Sequence, residues 1–225
     1  MCELAFVYHA SQYASSRFDY GDYQLMSQLA QFSTVLHCHP DTPCTAVENI
    51  TAGIRWDQDG LLMVNYTLSG VVDQLRIPAD RLARGVDELW QHTCFELFIG
   101  AKNDAEYYEF NFSPSGESAV YEFRNYRDGG PLHADGLDAK IAVQRGAETL
   151  DLSAVVLLTD LPGIRLDVCL SLGLSAVIED LDGSLSYWAL KHPPGKPDFH
   201  HSDNFTLQIG PVVVDGAAID NTAKP

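Results

Sequence analysis

The chain has 225 residues, 46% of them hydrophobic, which suffices for one sizeable core and makes two small domains the less economical division. A formal net charge of −17 argues against phosphate backbones and anionic membranes as partners, so neither nucleic acid nor membrane is expected. No apolar run approaches the roughly 20 residues that cross a bilayer. The opening MCELAFVYHA has neither a basic segment nor a clean apolar one behind it, so no secretory signal is read there and a cytoplasmic location is expected.

Residues 1–30 are rich in Tyr, Ser, Gln and Asp and show no period; they read as a flexible arm or, over 1–25, an extension upstream of a more ordinary start at Met26. From Phe32 onward the chain reads as short strands. They fall at 32–38, 46–56, 61–68, 74–77, 94–99, 107–112, 118–123, 139–143, 150–157, 166–178, 185–190 and 205–209. Turn signals separate many of them: DQDG at 57–60, SPSG at 113–116, DGG at 128–130 and LPG at 161–163. ITAGIRWDQDGLLMVNYTLSG is a hairpin of two alternating strands. Short helical turns fit 80–83 and 158–162. Many strands without a βαβ rhythm imply an all-β fold, an antiparallel β-sandwich of eight to eleven strands over 31–213, followed by a polar tail at 214–225.

The five cysteines, Cys2, Cys38, Cys44, Cys94 and Cys169, are odd in number and irregularly spaced, which suggests reduced thiols. Cys94 and Cys169 read as small core residues. Cys38 and Cys44 stand with His37 and His39 in HCHPDTPC, a spacing that fits no usual zinc pattern.

Two strands carry the strongest signal. In ELWQHTCFELFIG, at 88–100, Phe95, Leu97 and Ile99 point one way and Cys94, Glu96 and Phe98 the other. In YYEFNFSPSG, at 107–116, Tyr108, Phe110 and Phe112 oppose Tyr107, Glu109 and Asn111. One face is a hydrophobic wall; the other gathers carboxyls, an amide and a tyrosine, with Trp90 just ahead. An indole stacks on a sugar ring while carboxyls and amides bond its hydroxyls, so this face reads as a ligand platform; a solvated outer face is the plainer alternative.

The second constellation is SYWALKHPPGKPDFHHSDNF, at 186–205, a proline-stiffened loop bearing Trp188, Lys191, His192, His200 and His201, with Asp198 and Asp203. H-x7-H-H follows no recognised metal pattern, and loop packing by at least two of the histidines is the expected role. No nucleophile elbow, P-loop, dinucleotide fingerprint or H-E-x-x-H occurs. Carboxyl pairs such as Glu96 with Glu109 are not shown by spacing to flank a substrate, so no enzyme is expected.

These motifs resemble the DOMON-like β-sandwich family, whose relatives include family 9 carbohydrate-binding modules and cytochrome-type haem domains. The likeness rests on the hairpin with Trp56 at its turn, a tryptophan six residues before the Glu of xFELFI, then YYEFxFxPxG, and a late YWAL…H loop running into a final strand. It spans 32–213 and is nearest the DOMON-like type associated with UDP-N-acetylmuramate dehydrogenase, although none of that flavin enzyme's motifs is present. For the sugar-binding relatives, the resemblance implies that Trp90 and Trp188 sandwich a sugar and Glu96 bonds its hydroxyls. The relatives' supporting arginine has no match; the nearest strand positions hold Glu109 and Asn111. Those relatives also carry calcium, for which no loop is legible here. For the haem-binding relatives, the resemblance implies Met63 with His192 or His201 as axial ligands.

The expectation is therefore a non-catalytic module for a saccharide or sugar-containing metabolite. Trp90 and Trp188 would stack, Glu96, Tyr107, Glu109 and Asn111 would hydrogen-bond, and His192, His200 and His201 would ring the mouth. The alternatives are a haem-binding domain and a metal-dependent enzyme built on the histidine-rich loop.

Overall fold

The computed structural model describes residues 30–56, 60–79, 88–133 and 137–210, with side chains from residue 32. The expected arm at 1–25, the helical turn at 80–83 and the tail at 214–225 lie outside the described residues.

Among the described residues the alternating segments form twelve strands, one more than the upper expectation. They are β1 (Ala30–Cys38), β2 (Val47–Trp56), β3 (Leu61–Gly70), β4 (Cys94–Ala101), β5 (Tyr107–Phe112), β6 (Ser118–Asn125), β7 (Asp128–Pro131), β8 (Lys140–Arg145), β9 (Thr149–Leu157), β10 (Leu170–Glu179), β11 (Leu185–Ala189) and β12 (Leu207–Ile209). Every pairing is antiparallel, and no α-helix occurs among the described residues. One sheet runs β1-β2-β3-β9-β8; the other runs β7-β6-β5-β4-β10-β11, with β12 also on β10. β1 joins them: Ala30 to Leu36 pair with β2, while His37 and Cys38 pair with β11. A strand that changes sheet in this way forms a corner of a sandwich.

The segment expected as a strand at 74–77 is a 3-10 turn at Val72–Gln74 followed by a single bridge from Leu75 to Asp180. A second 3-10 turn, Leu158–Asp160, stands where a helical turn was expected.

The inward residues of both sheets merge in one core. Ile54, Val64, Tyr66 and Leu152 come from one sheet, and Phe95, Leu97, Phe110 and Leu174 from the other. Tyr66 packs on Phe95 at 4.9 Å between ring centroids. Each such fully buried large side chain contributes roughly 1.5–3 kcal/mol. A second, smaller cluster lies on the other side of the β4–β5–β6–β10 sheet, where Phe98, Tyr107, Phe123 and Phe199 meet. It exists because the segment 191–206 folds back as a strap across that outer face. Both faces of β4 are consequently buried from Cys94 to Gly100.

Candidate functional site

Strand register assembles the platform. Glu96 lies opposite Asn111 and Phe98 opposite Glu109. Ser175 and Gly173 of β10 stand opposite Glu96 and Phe98 on the other side. β6 adds Tyr121 beside Glu109 and Phe123 beside Tyr107. Because paired residues share a face, all of these look outward from the same sheet. The face is not solvated: Glu96 is 2% exposed, Glu109 5% and Asn111 0%.

Three segments frame it. The strap places His200 edge-on to Phe98 and Phe123, at 5.2 and 5.0 Å between centroids. It also seats Asn204 over Gly173, where a Cβ would come within 2.7 Å of the Asn204 amide nitrogen. The β6–β7 hairpin turns through Arg127 in the left-handed region at φ 53°. From there Arg127 donates to Asp198 of the strap at 2.7 Å, and the Tyr126 hydroxyl donates to the other Asp198 oxygen at 2.6 Å. On the third side, the turn Leu89–Gln91 leaves Trp90 44% exposed, and the Glu88 amide just before it donates to the Tyr121 hydroxyl at 3.0 Å.

Hydrogen bonds fix the centre. Asn111 Nδ2 donates to Glu109 Oε1 at 2.7 Å, and the Cys94 thiol donates to Asn111 Oδ1 at 3.5 Å. Ser175 Oγ donates to Glu96 Oε2 at 3.2 Å. The Tyr107 hydroxyl accepts from the Arg127 amide at 3.1 Å and is hydrogen-bonded to His200 Nδ1 at 2.9 Å. His200 Nε2 faces Glu109 Oε2, 3.5 Å away.

Burial governs the ionisation here. It pushes Glu96 well above the usual carboxyl range, and the neighbouring charge of Glu109 pushes the same way. Burial likewise raises Glu109 to about 7, against the opposing effect of the Asn111 bond and Arg127. His200 is lowered to about 4, by burial first and then by the Arg127 charge. The His200–Glu109 contact is therefore a neutral imidazole against a carboxyl that readily holds its proton, not an ion pair. Asp198 is partly buried, yet its bonds from Tyr126 and Arg127 outweigh that and lower its pKa.

The structure thus brings Glu96, Tyr107, Glu109 and Asn111 together with His200, which packs against them rather than at a mouth, and keeps Trp90 at the rim. Trp188 departs from expectation. It lies opposite Ala176, on the inner face, is 6% exposed within the core and donates its indole N–H to Ser186. The parity of β11 forbids it to stack on a ligand over the carboxyl face. His201 does not ring the mouth either: its Nδ1 accepts from the Asp203 amide and caps the turn Ser202–Asn204. His192 sits at the β1 edge, bonded to the His37 carbonyl at 2.7 Å and edge-on to His39.

Met63 lies opposite Arg55 and Val155 on the outer face of the other sheet, so the whole sandwich separates it from His192 and His201. The axial pair expected for haem does not form. Among the described residues no three His, Cys, Asp or Glu side chains converge on a metal-sized site, so neither the histidine-rich strap nor HCHPDTPC assembles one. Cys94 is buried, but under the carboxyl face rather than in the main core, and Cys169 is only half-buried ahead of β10.

Sequence reasoning missed Arg127, and it named Asp198 only as an acidic member of the histidine-rich loop. Nothing in a hairpin tip or a proline-rich loop signals that they meet above Glu96 and Glu109. A depression of about 230 Å³ also lies on the opposite face, around Gly53, Asn65 and Thr67. None of its lining residues carries a carboxyl group, and two of its polar residues bond neighbours on β9, Thr67 donating to Asp151 and Asn65 accepting from Ser153, as on a solvated face. The convergent buried groups are all on the other side. No described helix is long and apolar enough to cross a membrane.

No known family model matches the sequence, and no curated protein matches it. Among solved structures, a candidate carbohydrate-binding protein from Bacteroides uniformis ATCC 8492 is similar, with a TM-score of 0.61 at 14% identity, covering 85% of this chain and 92% of that one. A family 9 carbohydrate-binding module from Caldicellulosiruptor kristjanssonii, solved with cellotriose, aligns with a TM-score of 0.45 at 13% identity, over 76% of this chain and 77% of that one. The first likeness shows the fold: a β-sandwich shared along nearly the whole of both chains.

Proposed function

We propose that the chain is a non-catalytic module that binds a saccharide or a sugar-containing metabolite on the outer face of β4, β5 and β10. The observation that carries this reading is the convergence of two buried carboxyls, an amide and a serine hydroxyl on one face ringed by aromatic side chains. Carboxyls that hold protons donate as well as accept, which suits the mixed hydrogen bonding of sugar hydroxyls. The rim residue Trp90, 44% exposed, supplies flat apolar surface for the C–H face of a ring. The reading places the chain alongside the DOMON-like sandwiches and is supported by a fold neighbour itself described as a candidate carbohydrate-binding protein.

Intrinsic tryptophan emission, titrated with neutral sugars and nucleotide sugars, tests it. Saturable quenching by at least one sugar, lost in Trp90→Ala, is the expected result. A panel in which nothing saturates removes the reading.

A further inference from the structure

We propose that the depression centred on Gly53, on the outer face of the β1-β2-β3-β9-β8 sheet, is a second ligand site that takes a sugar acid, a single sugar ring bearing a carboxylate. It is independent of the saccharide platform on the opposite face.

Gly53 sits in the middle of β2 with no backbone reason to be glycine. Its pairing is continuous with Ser33 on one side and Asn65 on the other, and the irregularity between β2 and β3 lies away at Val47–Asn49. Its φ is not in the left-handed region. Glycine inside a strand weakens it, and without a bulge or bend it marks a place where something approaches the backbone closely. Apart from the Phe32 carbonyl oxygen at 3.4 Å, no described atom comes within 4 Å of where a Gly53 Cβ would stand. The missing side chain is open space, and it forms the floor of the depression of about 230 Å³.

Register sets the walls. Ser33 and Asn65 flank Gly53 across the sheet, Thr51 and Arg55 flank it along β2, Thr67 lies opposite Thr51, and Met63 lies opposite Arg55. Residues paired across strands or two apart along one share a face, so six side chains surround the missing one. Arg55 and Thr67 hold opposite corners, four residues apart along the sheet, which is roughly 13 Å of main chain.

The corners differ in chemistry. Arg55 brings a guanidinium, which only donates. Asn65 Oδ1 accepts from Ser153, so Nδ2 is the group it brings to a ligand, again a donor. Ser33 and Thr51 carry hydroxyls that donate or accept. Thr67 gives its proton to Asp151, so it can only accept from a ligand. The Asp151 carboxylate beside Thr67 repels an anion from that corner, which assigns a carboxylate to Arg55. A sugar acid matches this gradient: its carboxylate meets the planar fork of Arg55, and its hydroxyls reach Asn65, Ser33, Thr51 and the acceptor on Thr67. Acetate is too short to span both corners, and a neutral sugar leaves the guanidinium unmatched. The depression is smaller than the roughly 300–1,000 Å³ of sites for larger ligands, which limits it to one ring. The net charge of −17 opposes an anion at long range, but physiological salt screens that field beyond about 8 Å, and the contact with Arg55 is shorter.

Isothermal titration of the full chain at pH 7 in physiological salt with glucuronate, glucose and acetate tests this. Glucuronate should saturate at one equivalent and bind at least about tenfold more tightly than glucose or acetate, as a charge-assisted contact implies. Arg55→Gln should remove that preference. Gly53→Val fills the depression with a residue that strands favour, so it should abolish glucuronate binding without lowering the urea midpoint. Glucose or acetate binding as tightly as glucuronate overturns the inference, as does the absence of saturable glucuronate binding. Glucuronate binding that survives Gly53→Val, or a preference that survives Arg55→Gln, places the ligand elsewhere and overturns it too; if Gly53→Val folds poorly, Arg55→Gln and the wild-type comparison decide. The saccharide platform is judged by the neutral-sugar titration of tryptophan emission, so the two readings fail separately.

Discussion

The Tyr66 hydroxyl donates to the main-chain carbonyl of Glu96 at 2.6 Å across the sandwich, so β3 of one sheet holds the strand that carries the buried carboxyl of the other. The bond is buried, and the ring that makes it lies on Phe95, the residue before Glu96. The carboxyl platform is thus tied to the core directly beneath it.

Removing that hydroxyl should loosen the tie without leaving a large cavity. Tyr66→Phe is expected to destabilise the protein by about 1–2 kcal/mol. Urea unfolding reads this as a lower midpoint at an unchanged slope.

The ionisation of the site predicts a pH signature. Glu109 is raised in the folded state from 4.5 to about 7, so the folded protein binds more protons than the unfolded one between those values. Its contribution is fully present below about 4.5 and is lost as pH climbs towards 7. His200, lowered from 6.5 to about 4, works in the opposite sense: its contribution is present above 6.5 and lost as pH falls towards 4. Glu109→Gln keeps the acceptor for Asn111, removes the first effect and also relieves the upward push of Glu109 on Glu96. Relative to wild type, it should therefore be more stable at pH 8 than at pH 5, which thermal unfolding between those values will show. A constant difference across that range would mean that Glu109 titrates normally.

Trp90 and Trp188 should separate cleanly. Trp188→Ala empties part of the core and is expected to cost about 3–5 kcal/mol. Trp90→Ala, at an exposed position, should change stability by less than about 0.5 kcal/mol while weakening sugar binding. Denaturation and ligand titration of both variants provide the check.

Gly173 gives the strap its seat. A methyl group there would lie 2.7 Å from the side-chain amide nitrogen of Asn204, a buried residue, so that side chain must shift and with it the bond it gives the Phe199 carbonyl of the strap. Gly173→Ala should raise amide hydrogen exchange across 198–206 while that of β2 and β3 stays slow.

The clamp above the site is weaker. Arg127 is half exposed, and its pair with Asp198 should be worth about 0.5–1 kcal/mol. Asp198→Ala is expected to speed proteolysis within the strap with little change in the global midpoint.

Alternation alone determined most of the fold. A period of two in β4 and β5 specified which side chains face the core, and it placed Glu96, Glu109 and Asn111 on one surface before any pairing was known. It also made the all-β, antiparallel character legible, because turns recur every few residues without helical periods between them. Local pattern could not decide what covers a face. The strap that buries Glu96 and Glu109 is a proline-rich loop with no period of its own, and its seat depends on Gly173, Phe98 and Asp198, which are distant in sequence from one another. The same limit explains Trp188 and Met63. Each sits on a strand whose two faces are both substantially apolar, so composition gave no parity, and only pairing with β10 or with β2 and β9 fixed which way each side chain points. Arg127 came to the site through a hairpin tip, where a backbone turn rather than a side-chain pattern sets direction. Which residues share a face is a property of the chain; what lies above that face is decided by contacts between segments that only the folded molecule brings together.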